Sequence, residues 1–171
     1  MNLKLVPEKD YALYYRKYVD LVEGNVLDEL SRQVDDLRIL LPLNDQQLHF
    51  QYAEGKWTIK EILGHLIDTE RVMTYRALRF ARKDDIELPA FDENQYVLQA
   101  SFNKRSIASL CEEFRLMRES HLLFFSNLTQ EQLLSKGTAA AQPVTVAAVL
   151  YIIAGHFLHH FNIIQQRYLL P

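Results

Sequence analysis

The chain has 171 residues, 49% of them apolar and 24% charged, with a formal net charge of −3. That length favours one domain, read here as residues 1–171, and can bury a core without disulfide or metal staples. Scattered Lys and Arg under a slight negative charge disfavour nucleic acid, which calls for a concentrated basic face. Cys111 is the one cysteine, which rules out an intramolecular disulfide and fits a reducing compartment. Five Gly and five Pro supply few turns, so helices are favoured over a sandwich or barrel. Met1 to Asp10 has no apolar stretch of the kind a signal peptide carries. A membrane helix needs about 20 apolar residues, and the best candidate, Val144 to Ile164, is broken by His156, His159, His160 and Asn162. The expectation is a cytoplasmic protein that meets a small molecule and no membrane.

Four main helices are expected. The first region runs from Asp10 to Leu41. Tyr11, Tyr14, Tyr15 and Tyr18 recur there at helical spacing, Gly24-Asn25 interrupts, and Leu27, Leu30, Val34, Leu37 and Leu41 resume one stripe. Pro42 ends it. Leu43 to Lys56 reads as a loop. Thr58-Ile59-Lys60-Glu61 then forms a capping box, with Trp57 placed to staple against Ile62, and opens a second helix that runs to Arg82. Lys83 to Lys104 reads as a long connection carrying Pro89 and Phe91-Asp92-Glu93-Asn94-Gln95-Tyr96. Its length would let the second and third helices run parallel. The third helix fits Ser106 to Asn127, with Leu110, Phe114, Met117, His121 and Phe124 on its stripe. A helical turn capped by Thr129 and a small-residue loop from Gly137 to Pro143 follow. The last helix fits Thr145 to Leu169. This is the pattern of an all-α four-helix bundle with a long connection between helices two and three.

The chemistry concentrates in histidines. His156 and His160 are four residues apart, so a helix presents both on one face as a metal clamp. Their flanks (Ile152, Ile153, Phe157, Ile163, Ile164) are apolar, and buried imidazoles need partners. Gly64-His65 in the second helix echoes Gly155-His156 in the last. A helical Gly costs about 1 kcal/mol against Ala, so the two suggest a close helix approach where the histidines meet. His65, His156 and His160 are therefore the candidate metal ligands. Three nitrogens leave an open coordination position, the pattern of a catalytic ion. His159 points about 60° from His156 and about a hundred degrees from His160 on the wheel, off the face the pair shares. His49 and His121 lack a paired partner. Position 157 is Phe, so the metalloprotease motif is absent, and no Glu-x-x-His occurs to suggest a di-iron site. Cys111 lies in a helix stripe as a small core residue.

At these residues the sequence resembles the DinB family of DinB/YfiT-like metalloenzymes. The resemblance is carried by the stretch from Gly55 to Arg71, by Leu88-Pro89-Ala90-Phe91-Asp92-Glu93-Asn94, and by Ile153-Ala154-Gly155-His156-Phe157-Leu158-His159-His160. Ala90 departs from the Gly expected there. The resemblance implies a four-helix bundle, often a homodimer, with a metal on three histidines. By position these are again His65, His156 and His160. It also implies thiol-dependent chemistry with a low-molecular-weight thiol such as bacillithiol or mycothiol.

Three functions follow as expectations. The first is a metal-dependent thiol S-transferase, in which the ion lowers a thiol's pKa. Asp92, Asn94 and Tyr96 would then line the pocket mouth. Glu70 and Arg71 would under that first reading form a polar network near the helix-two ligand, or else a solvated face. The second is a metal-dependent hydrolase, for which no carboxylate has a clear claim as general base, since Glu61 is committed to the capping box. The third is a non-catalytic metal-binding stress-response bundle, with a closed coordination sphere and no pocket. Zinc or nickel suit three imidazoles first, then iron or copper.

Overall fold

The computed structural model describes residues 6–169. Four long helices carry the fold. α1 spans Val26–Asp36, opened by Asn25, whose side chain accepts from the Leu27 amide. α2 spans Ile59–Ala81 behind the expected capping box: the Thr58 hydroxyl accepts from the Glu61 amide, and Glu61 accepts from the Thr58 amide at 2.8 Å. A shorter helix, α3, spans Glu93–Ala100. α4 spans Ile107–Ser126 and α5 spans Val146–Arg167. Cross-helix contacts fix the directions. Glu70 and Thr74 of α2 meet Arg118 and His121 of α4 in ascending order, so the two run parallel, as the long connection allows. His65 meets His156, and the Trp57 carbonyl accepts from the Tyr168 hydroxyl, so α5 runs antiparallel to α2.

Several segments differ from the sequence expectation. The tyrosine-rich start is not a continuous helix: 3₁₀ turns at Glu8–Asp10 and Leu13–Tyr15 precede one helical turn at Arg16–Val19. The reason lies in α5. A Cβ on Gly155 would stand 1.9 Å from the Tyr18 carbonyl oxygen, so this stretch lies with its backbone against α5. The loop after Pro42 holds a turn of helix, Asp45–Leu48, capped by Asn44. The long connection holds α3, with Asp92 as its cap. The loop from Gly137 to Pro143 is a hairpin, β1 (Lys136–Ala139) against β2 (Gln142–Thr145), in antiparallel register. Its two turn residues, Ala140 and Ala141, both have positive φ, which most residues resist.

α5 is the central element. Val146 to Phe157 is buried without interruption. It is 22 residues long and contains an 18-residue stretch with the mean hydropathy (1.4) of a membrane span, against the expectation from sequence, but 72% of that stretch is buried inside the bundle. Two apolar clusters wrap it. One joins Val26, Leu30, Met73, Phe80, Phe125 and Val149. The other joins Leu37, Leu63, Leu66, Phe114, Phe157 and Phe161.

Between them runs a buried polar belt. Arg118, with no exposed surface, donates twice to Glu70 (2.8 and 2.7 Å), to the Leu30 carbonyl and to Gln33; Gln33 donates to the Ala154 carbonyl. Every member is partnered, which is the condition under which buried polar groups are tolerated. The belt touches all four long helices and ends one residue before Gly155-His156.

Candidate metal centre

His65 projects from the middle of α2, and His156 and His160 project one turn apart from α5. The Nε2 atoms of His65 and His156 are 3.0 Å apart. One ring nitrogen from each of the three histidines lies within 4.8 Å of the others. Imidazole nitrogens at 2.0–2.1 Å from one tetrahedral ion stand about 3.3 Å from each other. The spacing thus fits a single ion after small side-chain adjustments. Trp57 lies against His65 (ring centroids 4.7 Å), and Tyr18 stands edge-on to His156 (5.3 Å). The Thr69 hydroxyl is 3.4 Å from His65 Nδ1, one turn on.

Burial sets the protonation state. It lowers His65 to about 4 and His160 to about 3, and pushes His156 well below the usual imidazole range; for His156 and His160, neighbouring histidines add to the effect. The trio is neutral at pH 7, the form that binds metals. The sign of the resulting pH dependence is fixed. The unfolded chain takes up protons near pH 6.5, and the folded trio resists until far lower pH. The metal-free protein should therefore keep its full stability above pH 6.5 and lose it as pH falls from 6.5 through about 4. Urea midpoints measured across that window should fall, with a shallower slope for His65→Ala; equal slopes would refute the assignment.

A cavity of about 270 Å³ opens beside the trio. Trp57, Tyr14, Tyr15 and Tyr18 form its aromatic wall. Thr69, Met73 and Arg76 line it from α2 below His65, and Phe91 and Glu93 come from the start of α3. Burial and the neighbouring Tyr14 raise the Tyr18 hydroxyl above the ordinary phenol range, so it stays protonated.

The expected pocket mouth is placed differently. Asp92 turns to its own backbone and accepts from the Asn94 and Gln95 amides. Tyr96 packs on Phe91 at 5.3 Å. Asn94 lines a neighbouring cavity with Tyr52, Trp57 and His160. It is Phe91 and Glu93, one residue either side of Asp92, that reach the main cavity, because Asp92 is used as a helix cap. The glycine echo also has another cause: a Cβ on Gly64 would strike the Phe102 ring at 2.3 Å, and Gly155 admits the Tyr18 backbone, so neither glycine faces the other helix's histidines.

The remaining candidates lie elsewhere. His159 lines the cavity against Tyr18 (5.4 Å) but is outside the trio. His49 is exposed and contacts the Asp45 carbonyl, and His121 contacts Glu70 at 3.0 Å. Glu61 also accepts from Asn103, Glu70 is buried in the polar belt, and Arg71 pairs with Glu113. Burial raises the Cys111 thiol to about 11, which fits a packing role. Thr69, Met73 and Arg76 follow His65 at four, eight and eleven residues. That spacing marks one helix face and was the signal available in the sequence.

Comparison with known proteins agrees with this architecture. The family model of the DinB superfamily matches residues 29–164. A protein of Oceanobacillus iheyensis named "Putative metal-dependent hydrolase OB0413" is 29% identical over 120 residues, covering 69% of this chain and 68% of its own. YfiT from Bacillus subtilis, described as a probable metal-dependent hydrolase with an unusual four-helix bundle topology, superposes with a TM-score of 0.70 at 18% identity. That match covers 95% of this chain and 91% of YfiT. A bundle of this topology, matched by the family model from α1 through most of α5, makes the assignment plain: the chain belongs to the DinB superfamily.

Proposed function

We propose that the protein is a metal-dependent hydrolase of a small molecule, with a divalent ion, zinc or nickel, held by His65, His156 and His160. The observation that carries this reading is the convergence of three neutral imidazoles, two buried and one half-buried, at the edge of a 270 Å³ cavity. The relative from Oceanobacillus iheyensis, named for metal-dependent hydrolysis, supports it. A divalent ion held by the three histidines would supply a Lewis-acidic centre to what enters the cavity. A non-catalytic metal-binding bundle would close the coordination sphere, and among the described residues no fourth donor joins the trio.

The protein's own residues supply the rest. Glu93 is the one carboxylate among the described residues lining the cavity. Its charge acts on Tyr18, which stands against His156. Glu93 is thus the group placed to take up a proton, and Tyr18 is the neutral donor beside it. Trp57, Tyr15 and Tyr18 give the cavity an aromatic lining beside the histidines.

A thiol S-transferase, using bacillithiol or mycothiol as cosubstrate, is the second reading. It is favoured by the lack of any carboxylate within the trio's own ligand cluster, because a metal-acidified thiol needs no base. A panel of esters and amides, assayed with and without such a thiol, separates the two. Thiol-independent turnover by the metal-loaded protein supports hydrolysis, and turnover only with thiol supports transfer. Under hydrolysis, Glu93→Gln should lower kcat by about 10²–10⁴ with bound metal unchanged. An unaltered kcat would remove Glu93 from the mechanism.

A further inference from the structure

Arg76 is 4% exposed, yet among the described residues no carboxylate lies within ion-pairing distance of its guanidinium. Its contacts are the Pro89 carbonyl at 2.9 Å, the Met73 sulfur at 3.5 Å and the face of Phe91. The other deeply buried arginine, Arg118, is held by Glu70, Gln33 and a backbone carbonyl. A buried charge without a counter-ion is costly, and a site built to take a ligand anion is one reason to keep it. The two polar contacts of Arg76 use two of its five N–H donors, and the side chain lines the same cavity as the trio.

We propose that Arg76 is an anion subsite and that the protein's substrate carries a carboxylate. The proposal rests on the reading of the trio as the reacting end of the cavity. Arg76 lies eleven residues beyond His65 on the same face of α2, a rise of about 16 Å between their backbones. Its side chain reaches back one turn to the Met73 sulfur, which shortens that span. The cavity's lining also includes the apolar or aromatic side chains of Tyr15, Met73 and Ile152. The substrate this selects is an elongated small acid: a carboxylate on the Arg76 fork, an apolar or aromatic middle, and the labile bond at the histidines. The planar fork of arginine matches a carboxylate in two parallel hydrogen bonds.

Ligand-observed NMR titration with hexanoate and with its neutral counterpart hexanamide tests this on the full-length protein, both metal-free and zinc-loaded. The metal-free protein isolates the subsite from the trio, so failure of the metal reading leaves this result standing. Metal-free wild type should bind hexanoate about tenfold to hundredfold more tightly than hexanamide, the range of a charge-assisted contact. Arg76→Met should abolish that preference without altering hexanamide binding, and Arg76→Lys should retain part of it. A wild-type preference below tenfold overturns the proposal without any variant, as does a preference that survives in Arg76→Met.

Discussion

Replacing His65 by Ala, or His156 and His160 together, is expected to abolish both metal binding and its stabilisation of the fold. Each change removes donors from a set of three. The two ligands of α5 and the one of α2 are both needed, because α5 alone offers only a bidentate clamp. Wild-type protein purified without a histidine tag should carry about one divalent ion per chain by plasma mass spectrometry, as one three-nitrogen site implies. At free zinc 100 times the dissociation constant, binding stabilises the folded state by about 2.7 kcal/mol. In a chain of this size that corresponds to roughly 5–11 °C in Tm. The variants should show no such shift. Metal retained in both would dissolve the site and return the histidines to the core.

The second large effect is expected away from the cavity. Arg118→Met leaves Glu70 buried without its main partner. Burial alone would raise the Glu70 carboxyl; the Arg118 guanidinium and His121 hold it below the usual carboxylate range instead. Breaking a buried pair from one side costs about 3–5 kcal/mol, or roughly 6–20 °C in Tm. Replacing both members, as in Glu70→Leu with Arg118→Met, should recover part of the loss, because no charge is then left buried. Thermal midpoints of the two variants decide the matter. A loss below about 1 kcal/mol for Arg118→Met would mean that the belt contributes like a surface pair.

The sequence made α2 and α5 legible because their signals are strong and local. Thr58 and Glu61 form a capping box at the start of α2, and α5 pairs a long apolar run with Thr145 as its cap. His156 and His160 were legible for the same reason, since helical spacing fixes which residues share a face. His65, on another helix, was reached through the glycine echo, whose cause in the fold is different, and through the family resemblance. Other features depend on tertiary context. The hairpin turn is Ala140-Ala141, where such a turn ordinarily calls for Asn or Gly, so no turn residue announced it. α3 buries only Val97, which leaves no apolar stripe to read. The first tyrosines have helical spacing, yet their path is set by the backbone contact at Gly155. Arg76 carried no sign that it would be buried without a carboxylate, because its missing partner is a property of the folded neighbourhood.

Trp57 is the chain's single tryptophan, and its ring lies 4.7 Å from His65 and 6.4 Å from His160. The whole indole emission of the protein therefore originates beside two of the three candidate ligands. Open-shell ions such as nickel(II) or copper(II) quench a fluorophore at that range, whereas closed-shell zinc(II) does not. Indole fluorescence is thus an intrinsic optical gauge of any ion loaded at the trio, readable without labels or substrate.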